Sequence, residues 1–188
     1  MTGTPSEALA RLAAGNDAFR AGHAASGDIS LRRVAQTAAE GQSPFAAVLT
    51  CADSRVPPEH IFGAGIGDLY VVRTAGNTAA GLNLASLEFA AVELAVPLIV
   101  VMGHSHCAAV AAARLGSASG EFTKVTDRIF IGLGANQTED EAVLANARAS
   151  RQDLLENWAI KHRVAAGHLT VALAIYDTAT GQVVFWDD

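Results

Sequence analysis

Two short apolar runs place the strongest limits on how this chain can fold. Residues 45–50 (FAAVLT) and 97–102 (PLIVVM) each have the length and composition of a buried strand. Residues 51–55 (CADSR) follow the first run, and residues 103–107 (GHSHC) follow the second. Because ligands bind at the carboxyl ends of strands in parallel α/β sheets, both polar segments are expected to belong to one site.

The rest of the chain alternates between strand and helix patterns. A first helix is predicted from the capping box at Thr4 and Glu7 to about Gly22. Further helices are predicted at 31–40, 59–62, 84–94, 108–115 and 139–162, and further strands at 69–73, 168–176 and 183–186. This order predicts an α/β fold with a mostly parallel sheet and helices on both faces. The last two strands are close enough to form a hairpin, so one edge strand is expected to be antiparallel.

The length of 188 residues favours a single domain, predicted to span residues 1–188. Within it, residues 1–43 are predicted to form an N-terminal helical arm that packs on a partner subunit, because two short helices can bury little by themselves. Residues 22–27 are small and polar, which indicates a loop. Residues 116–138 are rich in Gly, Ser and Thr and have no clear period, so they give no structural prediction.

Charge and hydropathy exclude several classes of function. The net charge of -6 and the absence of a basic run argue against a nucleic-acid partner. Apolar runs stop well before the ~18 residues that a membrane span needs. No secretory signal is visible at the N-terminus. A cytoplasmic location with two reduced cysteines is therefore expected.

The two cysteines and one histidine form a familiar set of zinc ligands. A catalytic zinc keeps three protein ligands and an open position, and two cysteines with one histidine are a known version. Cys107 lies near the start of a predicted helix, where the helix dipole favours the thiolate that binds metal. Two residues separate His104 from Cys107 in the sequence, and Cys51 would be the third ligand, from the other strand end. Asp53 and Arg55 are close enough in sequence to support these ligands.

Three other interpretations of the cysteines remain open at this point. Buried cysteines are often only small apolar residues. A disulfide between them is a second alternative, although a reducing cytoplasm disfavours it. The third is a structural zinc site with four protein ligands, in which Asp53 or His106 would be the fourth.

Longer motifs give the chain a resemblance to a known family. Residues 51–62 (CADSRVPPEHIF) followed by residues 103–110 (GHSHCAAV) resemble the β-class carbonic anhydrases. Residues 67–77 (GDLYVVRTAGN) are similar to the second-strand motif of that family. Shorter matches lie at residues 15–19, 86–90 and 175–177, and the resemblance covers nearly the whole chain except about residues 116–145.

The resemblance implies an activity and roles for individual residues. It implies that Cys51, His104 and Cys107 bind Zn²⁺ and that Asp53 and Arg55 form a catalytic dyad. The reaction would be the reversible hydration of carbon dioxide to bicarbonate and a proton. Zinc-bound hydroxide would attack the carbon, and the dyad would assist removal of the proton.

The resemblance also implies a substrate pocket and a homodimer or higher homo-oligomer. Gln42 would reach the pocket of a neighbouring subunit, while Tyr70, Ala75 and Phe89 would form its apolar walls. Two positions depart from the family pattern. Gly63 stands where aspartate is common, and Ala108 stands where glycine is common.

A regulatory anion pocket of some family members is expected to be absent. The resemblance places Arg73 and Tyr176 in that pocket, but Val48 stands where the pocket needs a tryptophan. Valine cannot donate the hydrogen bond that an indole N–H would give to the anion. We therefore expect Asp53 to pair with Arg55 and to leave the fourth zinc position open near neutral pH.

Two alternative functions keep the same fold and ligands. An enzyme of this kind could act on carbon disulfide or carbonyl sulfide, which are also linear and apolar. A non-catalytic zinc-binding or bicarbonate-binding protein is the alternative from a different class. The presence of both Asp53 and Arg55 argues against it, because a structural zinc site does not need them.

Overall fold

A five-stranded sheet forms the centre of the computed structural model, which describes residues 3–23 and 27–186. Its strand order is β2-β1-β3-β4-β5, in which β5 alone pairs antiparallel with its neighbour. The strands are β1 (Ala46–Cys51), β2 (Leu69–Thr74), β3 (Leu98–His104), β4 (Thr170–Tyr176) and β5 (Val183–Trp186). The predicted mostly parallel sheet with an antiparallel edge is confirmed.

The two apolar runs form adjacent strands at the centre of the sheet. Every residue of β1 and of β3 is buried, as expected for parallel strands that are covered on both faces. In the register between them, Thr50 pairs with Met102. The polar segments that follow these strands therefore leave the sheet side by side at its carboxyl edge.

Helices cover both faces of the sheet, as predicted. They are α1 (Pro5–Arg20), α2 (Leu31–Glu40), α3 (Pro58–Ile61), α4 (Leu82–Val92), α5 (Ala108–Leu115), α6 (Thr123–Ile131), α7 (Glu139–Glu156) and α8 (Trp158–Ala165). Alternate strand residues face opposite ways. One face of the sheet packs on α4, α7 and α8, and the other packs on α1 and α3. Within the described ranges, no helix is both long and apolar enough to cross a bilayer.

Helix α1 packs on the domain of its own chain. Thr4 caps it: the Glu7 N–H donates to Thr4 Oγ1 (3.3 Å), and the Thr4 N–H donates to Glu7 Oε2 (2.7 Å). Asn16 is buried near its other end and donates to the Gly181 carbonyl (2.9 Å) while accepting from the Val183 N–H (2.9 Å). This contact ties α1 to the β4–β5 hairpin.

Helix α2, by contrast, buries none of its residues within the chain. The prediction that residues 1–43 pack on a partner subunit stays a prediction, as does the single domain over residues 1–188. The loop predicted at residues 22–27 lies partly outside the described residues.

The sequence patterns missed two features of the helices. The predicted helix 139–162 is two helices, because Asn157 adopts an extended conformation between α7 and α8. Its side chain accepts from the Ile160 N–H (3.1 Å) and donates to Glu88 Oε2 (2.6 Å). Helix α6 lies within residues 116–138, where it buries only Thr126 and Ile129.

Candidate metal centre

Three side chains converge where β1 and β3 end. Cys51 is the last residue of β1, His104 is the last residue of β3, and Cys107 is the N-cap of α5. Their ligand atoms all lie within 4.8 Å of one another, and all three residues are buried. Both cysteines are free, so the disulfide alternative is not realised. Two sulfurs and one nitrogen at this spacing fit the ligand set of a zinc ion.

One ring nitrogen of His104 makes a hydrogen bond, and the other has no hydrogen-bond partner among the described residues. Nδ1 lies 2.9 Å from the carbonyl oxygen of Ser105, so Nδ1 carries the proton and donates it. Nε2 then presents a lone pair, and it is buried without a hydrogen-bond partner among the described residues. Buried polar atoms normally have a partner, and a histidine that donates one ring N–H to a carbonyl is a common metal ligand. The residues present therefore fit a metal ion.

The sulfur of Cys51 accepts hydrogen bonds from the backbone. The N–H groups of Asp53 (3.4 Å) and Gly76 (3.3 Å) both donate to it. The pKa of the Cys51 thiol is lowered to about 4, first by a hydrogen bond from the Cys107 thiol and further by these N–H groups, against the opposing effect of burial. The pKa of Cys107 is raised, because its thiol is the donor in that bond and is itself buried. The pair thus holds one proton, which must leave when both sulfurs bind a metal.

The carboxylate of Asp53 is held by Arg55. Arg55 Nε donates to Asp53 Oδ1 (3.0 Å), Arg55 Nη2 donates to Asp53 Oδ2 (2.8 Å), and the Arg55 backbone N–H also donates to Oδ1 (2.9 Å). These hydrogen bonds keep the pKa of Asp53 well below its usual range, so the carboxylate is ionised at neutral pH. A second bond from Arg55 Nη2, to the His106 carbonyl (3.2 Å), links the β1 turn to the β3 turn.

Neither alternative fourth ligand is part of the cluster. In the described part of the chain, the group of ligand atoms that could hold a metal contains only the two cysteines and His104. The side chain of Asp53 is occupied by Arg55. His106 adopts a left-handed conformation (φ 56°), and its Nδ1 lies 3.2 Å from Oε1 of Glu139. The four-ligand structural site considered from the sequence is therefore not formed by these residues.

The guanidinium of Arg73 fastens the turn that follows β1. Arg73 Nε donates to the carbonyl of Cys51 (3.1 Å), and Arg73 Nη2 donates to the carbonyl of Asp53 (2.6 Å). The resemblance assigned this arginine to an anion pocket, and sequence reasoning missed its contact with the site backbone. Val48 is fully buried in the core, as is most of Tyr176. Arg73 thus holds both the cysteine ligand and the dyad aspartate through their main chain.

The predicted substrate residues lie in two places. Ala75 packs against the cluster that contains both cysteines. Tyr70 pairs with Ala47 near the opposite end of β2, roughly 13 Å from the site at about 3.3 Å per residue. Phe89 lies beside Tyr70, with ring centroids 6.1 Å apart, and Gln42 is exposed ahead of β1. Within one chain only Ala75 is near the metal ligands, and the roles of all four stay predictions.

Comparison with known proteins identifies the family. The family model described as carbonic anhydrase matches residues 46–183. Carbonic anhydrase 2 of Mycobacterium tuberculosis is 36% identical over 194 residues, which cover 97% of this chain and 93% of the relative. The chain belongs to the β-class carbonic anhydrase family. Another relative, a carbonic anhydrase of Mycolicibacterium smegmatis, is 35% identical over 191 residues. That match covers 95% of this chain and 92% of the relative.

Solved structures of β-class carbonic anhydrases share the fold. The β-carbonic anhydrase CcaA is 30% identical with a TM-score of 0.72, and the match covers 96% of this chain and 88% of that one. A tetrameric β-carbonic anhydrase of Sordaria macrospora is 23% identical with a TM-score of 0.74, and the match covers 97% and 95% of the two chains. At that identity, the second likeness bears on the fold alone.

Both departures from the family pattern can be located in the structure. Gly63 follows α3 in the left-handed region (φ 58°). Glycine accepts that conformation at no steric cost, and aspartate is among the few other residues that visit it. Ala108 is exposed in the first turn of α5.

Proposed function

We propose that this carbonic anhydrase hydrates carbon dioxide reversibly with one zinc ion held by Cys51, His104 and Cys107. The observation that carries the proposal is the buried, unpartnered Nε2 of His104 beside two buried sulfurs. An orphaned imidazole nitrogen in a core costs free energy unless a ligand satisfies it. Two thiolates and a neutral imidazole are ligands that zinc favours.

Zinc, when bound, lowers the pKa of a water molecule and so supplies a nucleophile at neutral pH. The residues of the chain orient the reactants around that chemistry. Asp53 is the acceptor beside the ligands, and its bidentate pair with Arg55 fixes the directions in which its oxygens accept hydrogen bonds. Because Arg55 keeps the pKa of Asp53 low, Asp53 is a weak base that orients a proton rather than storing it.

Exposure of the dyad supports transfer of the proton outwards. The Asp53 side chain is 17% exposed and that of Arg55 is 51% exposed, so the carboxylate lies between the buried ligands and solvent. Ala75 offers the apolar contact that suits an uncharged substrate. The same geometry suits carbon disulfide or carbonyl sulfide, so assays with each substrate decide the range of substrates.

A homodimer or higher homo-oligomer would complete the substrate pocket. Gln42, Tyr70 and Phe89 lie away from the metal ligands of their own chain, so they can line a pocket only next to a second copy. Apolar side chains of α2 and α4 have large exposed fractions, at Leu31 (85%), Leu82 (85%) and Phe89 (44%). Sedimentation of an active monomer at low concentration would contradict this arrangement. A cytoplasmic location stays a prediction.

The test is a stopped-flow assay of carbon dioxide hydration on protein of measured zinc content. We expect about one zinc per chain and rapid hydration. Asp53→Asn should keep its zinc and lose activity by about 10²-fold, because the amide presents a donor where the carboxylate accepts. Zinc-loaded wild-type protein without hydration activity would favour the non-catalytic binding protein instead.

A further inference from the structure

Asn146 is a buried polar residue of α7 that contacts the candidate metal centre through one glycine. It is 2% exposed, and its Nδ2 donates to the carbonyl oxygen of Gly76 at 2.7 Å. The N–H of the same glycine donates to Sγ of Cys51 at 3.3 Å. Gly76 is therefore held by Asn146 at its carbonyl and faces a metal ligand with its N–H.

Gly76 has a conformation that favours glycine, and it is packed tightly by its neighbours. Its φ of 69° lies in the left-handed region, which favours glycine. A Cβ atom built on it would lie 2.5 Å from Cδ1 of Ile129 and 3.3 Å from Cβ of Ala109. The backbone is thus packed tightly against α5 and α6, while its carbonyl depends on the Asn146 amide. Without that donor, a buried carbonyl would lose its hydrogen bond and the turn would shift to find another.

Such a shift would act directly on Cys51. A backbone N–H that donates to a ligand sulfur favours the charged thiolate and fixes the direction of its lone pairs. Asn146 and Gly76 are 70 residues apart, so the chain itself does not hold them together. We propose that Asn146 is a positioning residue for metal binding, which holds the Gly76 N–H against the Cys51 sulfur.

This inference rests on the proposed zinc function, and its test compares variants of two residues on the same helix. Asn146→Asp keeps the shape of the side chain but replaces the amide N–H donor with a carboxylate oxygen. Asn146→Leu removes the donor and keeps a similar side-chain volume. Ser150→Ala is the matched control. Ser150 is also buried, lies one turn further along α7, and accepts from the N–H of Ala79 (3.4 Å) in the same connection after β2.

Zinc affinity is measured by competition with a chromophoric chelator, and the sulfur-to-cobalt charge-transfer band is recorded for Co²⁺-loaded protein. We expect both Asn146 variants to bind zinc about 10-fold more weakly or worse, as for other residues that support metal ligands. Their cobalt band should shift, while Ser150→Ala should stay within about 2-fold in affinity with an unchanged band. If Asn146→Leu does not fold, the isosteric Asn146→Asp decides by the same measurements.

Two results would overturn the positioning role. One is wild-type affinity and an unchanged cobalt band in the Asn146 variants. The other is an equal loss in Ser150→Ala, which would indicate that α7 packing as a whole is responsible. Wild-type protein that binds no zinc would contradict the proposed function itself, and it is recognised before any variant is measured.

Discussion

The two halves of the candidate metal centre are supported in different ways. Cys51, at the end of β1, is held by residues distant in sequence: Gly76 donates to its sulfur, and Arg73 donates to its carbonyl. Cys107 is itself the N-cap of α5, and His104 donates from Nδ1 to the carbonyl of the next residue, Ser105. The β1 half is therefore built by tertiary packing, and the β3 half is built largely by a local helix start.

This difference has a consequence for mutational sensitivity. A helix N-terminus forms wherever α5 forms, because its free N–H groups are a property of the helix. The environment of Cys51 requires β2, the turn at Gly76 and α7 all to be in place. Substitutions that disturb the centre without touching a ligand should therefore act mainly on the β1 half.

The largest expected effect is the loss of bound zinc when either cysteine is replaced, which tests whether both sulfurs are ligands. Cys51→Ser and Cys107→Ser should each lose most of the bound zinc, because a hydroxyl is a poor replacement for a thiolate. Zinc content after dialysis, measured by elemental analysis, checks this. Full zinc occupancy in either variant would show that the corresponding sulfur is not a ligand.

The next effect compares two arginines that each donate to a backbone carbonyl. Arg73→Met removes the bonds to Cys51 and Asp53, and we expect zinc affinity to fall about 10–100-fold. Arg114→Met is the control, because Arg114 lies at the end of α5 and donates to the Gln137 carbonyl (2.7 Å). It should stay within about 2-fold by chelator competition.

Equal losses in the two arginine variants would remove the distinction between the halves. A loss in Arg114→Met alone would reverse it, since the local half would then be the sensitive one. Far-ultraviolet circular dichroism on both variants separates loss of metal affinity from loss of fold.

A smaller effect concerns the proton shared by the two sulfurs. Cys51 is a thiolate above a pKa of about 4, whereas Cys107 has a raised pKa and keeps its proton. Metal binding should therefore displace one thiol proton, and zinc affinity should rise about 10-fold per pH unit between roughly pH 6.5 and 8. Isothermal titration in buffers of different ionisation enthalpy counts the released protons. Release of two would mean that both thiols are protonated in the metal-free chain.

The smallest expected effect on the metal centre comes from a buried contact outside it. Asn16→Ala removes the bonds to Ile61, Gly181 and Val183 and should lower the free energy of unfolding by about 1–3 kcal/mol. Zinc affinity should be unchanged, because Asn16 ties α1 to α3 and to the hairpin and makes no hydrogen bond to either ligand half. Urea denaturation and chelator competition measure the two quantities. A parallel loss of zinc affinity would show that the hairpin also supports the centre.

The sequence patterns were informative wherever a local rule applied. The apolar runs became β1 and β3, and the capping box at Thr4 started α1. The break at Asn157 was missed, although asparagine is a common N-cap and its position just before Trp158 carried that signal. Helix α6 was missed because it buries only two residues, so its apolar period is weak.

The sequence by itself determined the strands, the order of the elements and the three ligand types at two strand ends. Those features follow from hydrophobic period, helix capping and side-chain chemistry, which act over a few residues. Only the tertiary structure decided that Arg73 fastens the Cys51 turn, that Gly76 faces the sulfur and that Asn146 holds Gly76. Those contacts join residues 20 to 70 positions apart, and their geometry exists only after the sheet and helices have packed.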